Sequence, residues 1–364
     1  MLASESQPLS GEISSISNEM NIQENVPLSS LTTFRLGGPA RYFAEIKTNE
    51  DLIVALQFAK DQKLPFFILG GGSNVLVSDE GYSGLVIRMR NTGIILNETR
   101  GNDIFVTAFA GETWDKFVSY TVKNGWYGLE NLSGIPGSVG AAPIQNIGAY
   151  GAEVKDSIEY VTVYDSENFC QKNLTREECG FGYRESFFKT EQAKQLIVIS
   201  VTFRLRLRSQ LLFQYKDIAE YLNRKGIGHD KIGLSGTRKA VLEIRARKLP
   251  SLSRHGTAGS FFKNPIIEKS VAERLRKGFP EIPFYEESGG IKVPAAYLID
   301  RICNLKAAYC GGASIYKKHG LVIVSNEGCK ARDVNELAKK ISKKVFEICG
   351  VVLTPEVKSV GNFI

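Results

Sequence analysis

Apolar and polar residues alternate along the first half of the chain in a pattern that predicts short helices and strands. In residues 48 to 62 apolar side chains recur at helical spacing behind Thr48, which can cap a helix, and the apolar run 64 to 70 is typical of a buried strand. A second helix is predicted for residues 113 to 124, with Thr113 at its start and Gly125 at its end. Because such elements recur from residue 28 to 205, we expect an α+β or α/β region there.

Beyond about residue 205 the pattern becomes mainly helical. An alternating "RLRLR" segment first predicts a strand with Arg204, Arg206 and Arg208 on one face. Helices are then predicted for residues 216 to 248 and for "VAERLRKGFP", "AAYLIDRIC" and "ARDVNELAKKISKKVFEICG". The last has an apolar face made of Val334, Leu337, Ala338, Ile341, Val345 and Phe346. A final strand is predicted for "VVLTPEV", residues 351 to 357.

Composition narrows the class of protein. The 364 residues are 43% hydrophobic and 23% charged, which is ordinary for a globular protein, and the net charge of +7 suits anionic small molecules as well as nucleic acid. No long basic run indicates a nucleic-acid tail, and no apolar stretch has the roughly 18 residues that a membrane helix needs. The first 20 or so residues are polar and serine-rich without the features of a signal peptide, so we expect a disordered tail and a cytoplasmic protein.

Cysteine and histidine usage argues against a metal site. The six cysteines include no Cys-x-x-Cys pair, and only three histidines are present. Without a secretion signal, the thiols are expected to stay reduced. No metal is therefore predicted.

Two glycine-rich segments are the first candidates for chemistry. The first, residues 70 to 74, follows "FIL" with three consecutive glycines and then Ser73 and Asn74. Glycine there leaves room for a ligand against the main chain. An apolar run follows instead of a helix, and no Lys-Ser/Thr pair is present, so neither the dinucleotide fingerprint nor the P-loop is matched. A tight hairpin turn remains an equal alternative.

The second glycine segment, residues 128 to 153, is longer and nearly uncharged. Apart from Tyr150, its only ionisable side chains are Glu130 and Glu153. A backbone of this kind can turn several N–H groups toward one anion, although an irregular surface loop is the alternative. Together the two segments indicate a large dinucleotide.

At this point the motifs resemble one known family. "ILGGGSNVLV", "SGIPGSVGAAPIQNIGAYG", "FGYRESFFK", "GSFFKNP" and "LTPEV" occur here in the order found in the UDP-N-acetylenolpyruvoylglucosamine reductase family. The resemblance implies an α+β protein whose FAD-binding region has the vanillyl-alcohol-oxidase (PCMH) type of fold, not a Rossmann fold, followed by a separate α+β substrate-binding domain. The expected divisions are a disordered tail (1–27), two FAD-binding subdomains (28–91 and 92–208), the substrate-binding domain (209–350) and a C-terminal strand (351–364).

The resemblance also implies roles for individual residues. FAD would be held by Gly70, Gly71, Gly72, Ser73, Asn74, Gly134, Ile135, Pro136, Gly137, Gly140, Asn146 and Gly148. Ser260 would be the proton donor, Arg184 would polarise the substrate carboxylate, and Glu356 would stabilise or protonate the intermediate. Lys263 would line the channel, and the substrate would be bound by Tyr215, Arg245, Lys248, Asn264, Lys306 and His319. Tyr215 would mark the subgroup with a tyrosine-bearing loop.

The residues taken alone allow blander interpretations. Arg184 could be a salt-bridged structural residue, Ser260 a turn residue and Glu356 a solvated strand end. The family implies an enzyme in which NADPH reduces FAD before the UDP-enolpyruvyl sugar is reduced, and we expect a monomer. Two alternatives stay open: a sugar or lactone oxidase on the same flavin fold, which would release hydrogen peroxide, and a non-catalytic nucleotide-binding protein without tightly bound flavin.

Overall fold

A computed structural model of the chain describes residues 20–208, 211–213, 215–228, 231–287 and 289–363. Its first region contains β1 (Gln23–Pro27), β2 (Pro39–Ile46), α1 (Asn49–Asp61), β3 (Phe66–Leu69), β4 (Val75–Val77) and β5 (Tyr82–Met89). A four-stranded sheet has the order β1-β2-β5-β3, in which β1 is antiparallel to β2 and the other pairs are parallel. α1 begins as expected: the Thr48 hydroxyl accepts from Asp51 N–H at 3.1 Å, and the Asp51 carboxylate accepts from Thr48 N–H at 3.0 Å.

The second region is built on an antiparallel sheet. Its elements are β6 (Ile94–Arg100), β7 (Asp103–Phe109), α2 (Trp114–Lys123), β8 (Gly148–Ala149), β9 (Ala152–Glu153), β10 (Ile158–Asp165), β11 (Cys170–Thr175) and β12 (Leu196–Arg206). Five strands follow the order β11-β10-β12-β7-β6. α2 packs Trp114 and Phe117 against Phe203 of β12, and the core of this region lies between helix and sheet.

The third region is more helical. It contains α3 (Lys216–Lys225), α4 (Leu234–Lys248), β13 (Ile266–Ile267), α5 (Lys269–Gly278), β14 (Tyr285–Glu287), β15 (Gly290–Lys292), α6 (Ala295–Tyr297), β16 (Tyr309–Cys310), β17 (Ala313–Ile315), β18 (Ile323–Ser325), α7 (Ala331–Cys349) and β19 (Lys358–Val360). A single π turn, Leu298–Ile302, continues α6. α3 and α4 form a small core of their own with Tyr150, whereas α7 packs on the sheet β16-β17-β18 within a larger core.

Several sequence predictions need correction. The predicted tail reaches residue 27, but β1 occupies Gln23–Pro27, because its backbone pairs with β2; residues 1–19 lie outside the described part of the chain. Residues 351 to 357 are not a strand, and the strand starts only at Lys358. β12 ends at Arg206, so Arg208 lies beyond it. On α7 the side chain of Phe346 is 56% exposed rather than on the buried face.

β3 and β4 flank the first glycine segment without forming a hairpin. β3 pairs with β5 in the first sheet, whereas β4 pairs in parallel with β19, at the other end of the chain. The hairpin alternative for residues 70 to 74 is therefore wrong. The segment instead crosses from one sheet to another, which brings the residues just before β19 next to Asn74.

Candidate functional site

The two glycine segments pack directly on each other. A Cβ atom at Gly71 would lie 2.6 Å from the Cα atom of Gly137, and one at Gly70 would lie 2.6 Å from Ser138 Oγ. Ser73 Oγ donates to the carbonyl of Pro136 at 2.9 Å. The close approach of the second segment therefore requires glycine at residue 71, where its main chain lies, and at residue 70, where the Ser138 side chain lies.

A set of main-chain donors remains free where the segments meet. Within the described residues, no acceptor is present for the N–H groups of Gly70, Gly71, Gly72, Ser73, Asn74, Ile135, Gly137 and Ser138. The Ser138 hydroxyl is also buried without a partner. Unpaired main-chain N–H groups on two segments that pack together are suited to an anion such as a diphosphate.

Other members of the second glycine segment shape it rather than offer donors. Gly134 N–H donates to Asp115, and Gly140 N–H donates to the Ala110 carbonyl at 2.9 Å. The fully buried Asn146 donates through its amide to Glu153 Oε2 at 3.1 Å and to the Gly182 carbonyl at 2.9 Å. These contacts fix the path of the segment around its free N–H groups.

Arg184 and Glu356 meet beside the second glycine segment. Arg184 has a left-handed backbone (φ 54°), and its Nη2 and Nη1 donate to the carbonyls of Gly148 at 2.6 Å and Asn146 at 3.3 Å. Its Nε lies 3.4 Å from Glu356 Oε1, and the two side chains are only 17% and 14% exposed. The two predicted catalytic residues thus form one partly buried ion pair.

Two opposing effects act on the pKa of Glu356. Burial raises the pKa of the Glu356 carboxyl, and the nearby cations Arg184, Lys189 and Lys263 lower it without cancelling the rise. Lys189 comes from the "FGYRESFFK" motif but was not singled out from the sequence; its Nζ donates to the Arg184 carbonyl at 2.7 Å. Lys263 forms an ion pair with Glu185.

Ser260 precedes Phe261, whose main chain contacts Glu356. Phe261 accepts from Glu356 N–H at 2.8 Å and donates to the Leu321 carbonyl at 2.7 Å, so Ser260 is one residue from the main-chain contact with Glu356. The half-buried Ser260 side chain makes no hydrogen bond with any described residue. Its hydroxyl is therefore available to another molecule.

Several predicted substrate residues gather on the third region. The ring of Tyr215 packs edge-on against Tyr150, with centroids 5.5 Å apart, and Tyr215 is 45% exposed. Lys248 pairs with Asp217. His319 lies close enough to feel the charge of Lys248, and burial, then Lys248, lowers the pKa of the imidazole.

Arg245, Asn264 and Lys306 have three different surroundings in the structure. Arg245 is partly buried and donates to the Gly134 carbonyl at 3.1 Å, so it contacts the second glycine segment. Asn264 Oδ1 accepts from Ala295 N–H at 3.0 Å, which fixes the start of α6. Lys306 is exposed, and no described residue pairs with it. Their roles in substrate binding stay predictions.

Comparisons with known proteins agree with this arrangement. An FAD binding domain model matches residues 40–168, and a model of the UDP-N-acetylenolpyruvoylglucosamine reductase C-terminal domain matches residues 251–360. A UDP-N-acetylenolpyruvoylglucosamine reductase of Chromobacterium violaceum is 40% identical over 93% of this chain and 98% of its own length. One of Pseudomonas aeruginosa is 37% identical over the same shares.

The chain belongs to the UDP-N-acetylenolpyruvoylglucosamine reductase family. A crystal structure of such a reductase from Thermus caldophilus superimposes with a TM-score of 0.65 at 27% identity, covering 94% of this chain and all of the other. The expected α+β fold, an FAD-binding region of the vanillyl-alcohol-oxidase type followed by a separate domain, is confirmed.

The residues of this family member fit FAD. The matched FAD-binding domain includes both glycine segments, and the free N–H groups and the unpaired Ser138 hydroxyl are what a diphosphate requires. The chain is therefore an FAD-dependent oxidoreductase. Among the described residues there is no helix with the length and apolar character of a membrane span.

Besides Lys189, two residues that contact the site have no role predicted from the sequence. Asp115 binds the second glycine segment although it lies on α2, and Glu153 faces Asn146 and Arg184. Glu153 is one of only two acidic residues in the second glycine segment, and an acidic residue in a nearly uncharged segment is a usable signal. No local pattern could have indicated Asp115, because its partners lie far along the chain.

Proposed function

We propose that this protein reduces the enolpyruvyl group of UDP-N-acetylenolpyruvoylglucosamine to give UDP-N-acetylmuramate, with NADPH as hydride donor, in the cytoplasm and as a monomer. Family membership supports the reaction. The observation that supports the site is the partly buried Arg184–Glu356 ion pair beside the second glycine segment with its free N–H groups. The free N–H groups of the two glycine segments would hold FAD, which would supply the hydride-transfer chemistry between NADPH and the enolpyruvyl group.

Arg184 is suited to the substrate carboxylate. Each terminal nitrogen of its guanidinium uses one hydrogen on a main-chain carbonyl, so one hydrogen on each remains. Hydride addition at C3 of the enolpyruvyl group leaves negative charge at C2 and on the carboxylate. A guanidinium held rigidly by Gly148 and Asn146 stabilises that charge as it develops.

Ser260 is proposed to donate the proton, and Glu356 is proposed to stabilise the intermediate. The Ser260 hydroxyl has no partner among the described residues and would donate a proton to C2. Burial raises the pKa of Glu356, and a substrate carboxylate beside it would raise the pKa further, so substrate binding would favour protonation of this carboxyl and let it stabilise the intermediate. The main-chain bond between Phe261 and Glu356 keeps the two residues in register.

The proposal is tested by following the flavin colour without oxygen. We expect NADPH to bleach the yellow protein and the UDP-enolpyruvyl sugar to restore the colour, with UDP-N-acetylmuramate as product. Hydrogen peroxide release with a simple sugar would instead support the oxidase alternative. A purified protein without flavin that binds the sugar nucleotide would support a non-catalytic binding protein.

A further inference from the structure

Asp115, the second residue of α2, makes a bidentate ion pair with Arg238 of α4. Its Oδ1 accepts from Arg238 Nη1 at 2.6 Å and its Oδ2 from Arg238 Nη2 at 2.8 Å. Paired hydrogen bonds of this kind fix geometry as well as charge. The Arg238 side chain is only 15% exposed.

The same carboxylate also holds the second glycine segment. Asp115 Oδ1 accepts from Gly134 N–H at 2.6 Å. Partial burial would raise the pKa of Asp115, but the hydrogen bonds from Arg238 and Gly134 outweigh it and keep the pKa below its usual value. The carboxylate is therefore charged in the neutral range and can serve both donors at once.

Helix α4 also binds the carbonyl group of Gly134. Arg245, about two turns after Arg238 on the same helix, donates to the Gly134 carbonyl at 3.1 Å. Gly134 has a left-handed backbone (φ 72°), and a Cβ atom there would lie 2.8 Å from Leu242 of α4. Both the N–H and the carbonyl of this residue are thus fixed, directly or through Asp115, by α4.

Gly134 precedes the free donors of the second glycine segment. Ile135, Gly137 and Ser138 follow it with unpaired N–H groups, and Trp114, next to Asp115, donates to the Gly137 carbonyl at 3.1 Å. We propose that Asp115 and Arg238 are positioning residues for FAD, because they hold this segment in the conformation that presents its N–H groups. The inference concerns FAD binding alone and does not depend on the proposed substrate.

The test measures the FAD dissociation constant of the full-length holoprotein. Diluted holoprotein releases FAD, whose fluorescence reports the free fraction. We expect Asp115→Asn to raise this constant by about 10- to 100-fold, as for loss of a hydrogen bond to a charged group. Arg238→Lys keeps the positive charge but cannot form the bidentate pair, so we expect a smaller rise in the FAD dissociation constant.

A matched pair elsewhere separates positioning from stability. Asp103 and Arg204 form a similar pair between β7 and β12, without contact to either glycine segment. Asp103→Asn should leave the FAD constant unchanged even if both aspartate variants lower the melting temperature. Should Asp115→Asn not fold, Arg238→Lys decides. An unchanged FAD constant in the folded variants overturns the proposal, and so does an equal rise in Asp103→Asn.

Discussion

Gly71 illustrates how little space separates the two glycine segments. Any side chain at this residue meets the Gly137 main chain, since its Cβ atom would lie 2.6 Å from Gly137 Cα. We expect Gly71→Val to push the segments apart and abolish FAD retention, measured as flavin absorbance per chain. Gly278→Val is the control, because nothing lies within 4 Å of a Cβ atom there. Normal flavin content in a folded Gly71→Val protein would contradict this.

Ser260 allows the two half-reactions to be separated. We expect Ser260→Ala to keep fast flavin reduction by NADPH, which needs no proton from a serine, and to slow flavin reoxidation by the substrate about 10²–10⁴-fold, the usual contribution of general acid catalysis. Stopped-flow absorbance follows both steps. Ser260→Cys should recover part of the second step, and the exposed Ser270→Ala should change neither. Equal slowing of both steps would remove the proton-donor role.

At the scale of elements, the short strand β19 holds Glu356 against the FAD-binding region. Lys358 N–H donates to the Asn74 carbonyl at 3.0 Å, and Asn74 Nδ2 donates to the Glu356 carbonyl at 3.1 Å. The first glycine segment and the Arg184–Glu356 ion pair are therefore joined through one short junction. This junction joins residues 282 positions apart in the sequence.

Lys358→Pro tests that junction. Proline removes the N–H that Asn74 accepts, so we expect weaker FAD binding by roughly 0.5–1.5 kcal/mol, the usual net value of one hydrogen bond. Lys358→Ala keeps the N–H and serves as the control. FAD affinity from fluorescence should separate the two variants. Equal affinities would mean that β19 does not support the flavin site.

Elements with a local signal were predictable from the sequence, and elements that depend on distant partners were not. α1 follows from apolar spacing and from Thr48, whose cap lies three residues from Asp51. β19 has three residues and exists because β4 pairs with it, so the preceding apolar run drew the prediction instead. Phe346 follows a buried Val345, but helical rotation turns it to solvent.

Site residues divide in the same way. The motifs named Arg184 and Glu356, and the structure brings these two together. Arg245 was assigned to the substrate, yet its contact with Gly134 depends on how α4 packs. The pair Asp115–Arg238 spans 123 positions and carries no motif. Tertiary packing, which a single sequence does not display, decides such contacts.

For the whole molecule, the partly buried His319 makes the free energy of unfolding depend on pH. Burial lowers the pKa of this imidazole, and its Nδ1 accepts from Leu321 N–H at 3.3 Å, which requires the neutral form. The unfolded chain therefore binds the proton more readily than the folded one. The contribution of neutral His319 to the free energy of unfolding is fully present above about pH 6.5, the pKa of histidine in an unfolded chain. It falls as the pH drops below that value.

We expect His319→Gln to flatten this acid loss. The free energy of unfolding of the parent protein should fall between pH 7 and 5, by at most about 1.4 kcal/mol per pH unit for one group. Urea unfolding at several pH values measures it. His255→Gln is the matched histidine control. An identical pH slope in His319→Gln and the parent protein would show that His319 does not titrate on unfolding.

The pairing of β4 with β19 has a consequence for how the chain reaches this fold. Among the described strands β4 has no partner other than β19, so its main-chain groups stay unpaired until residue 358 has been synthesised. An unpaired apolar strand is a template for association between chains. Partly folded intermediates of this protein should therefore aggregate through Val75–Val77, and closing the long loop to β19 is the step that protects them.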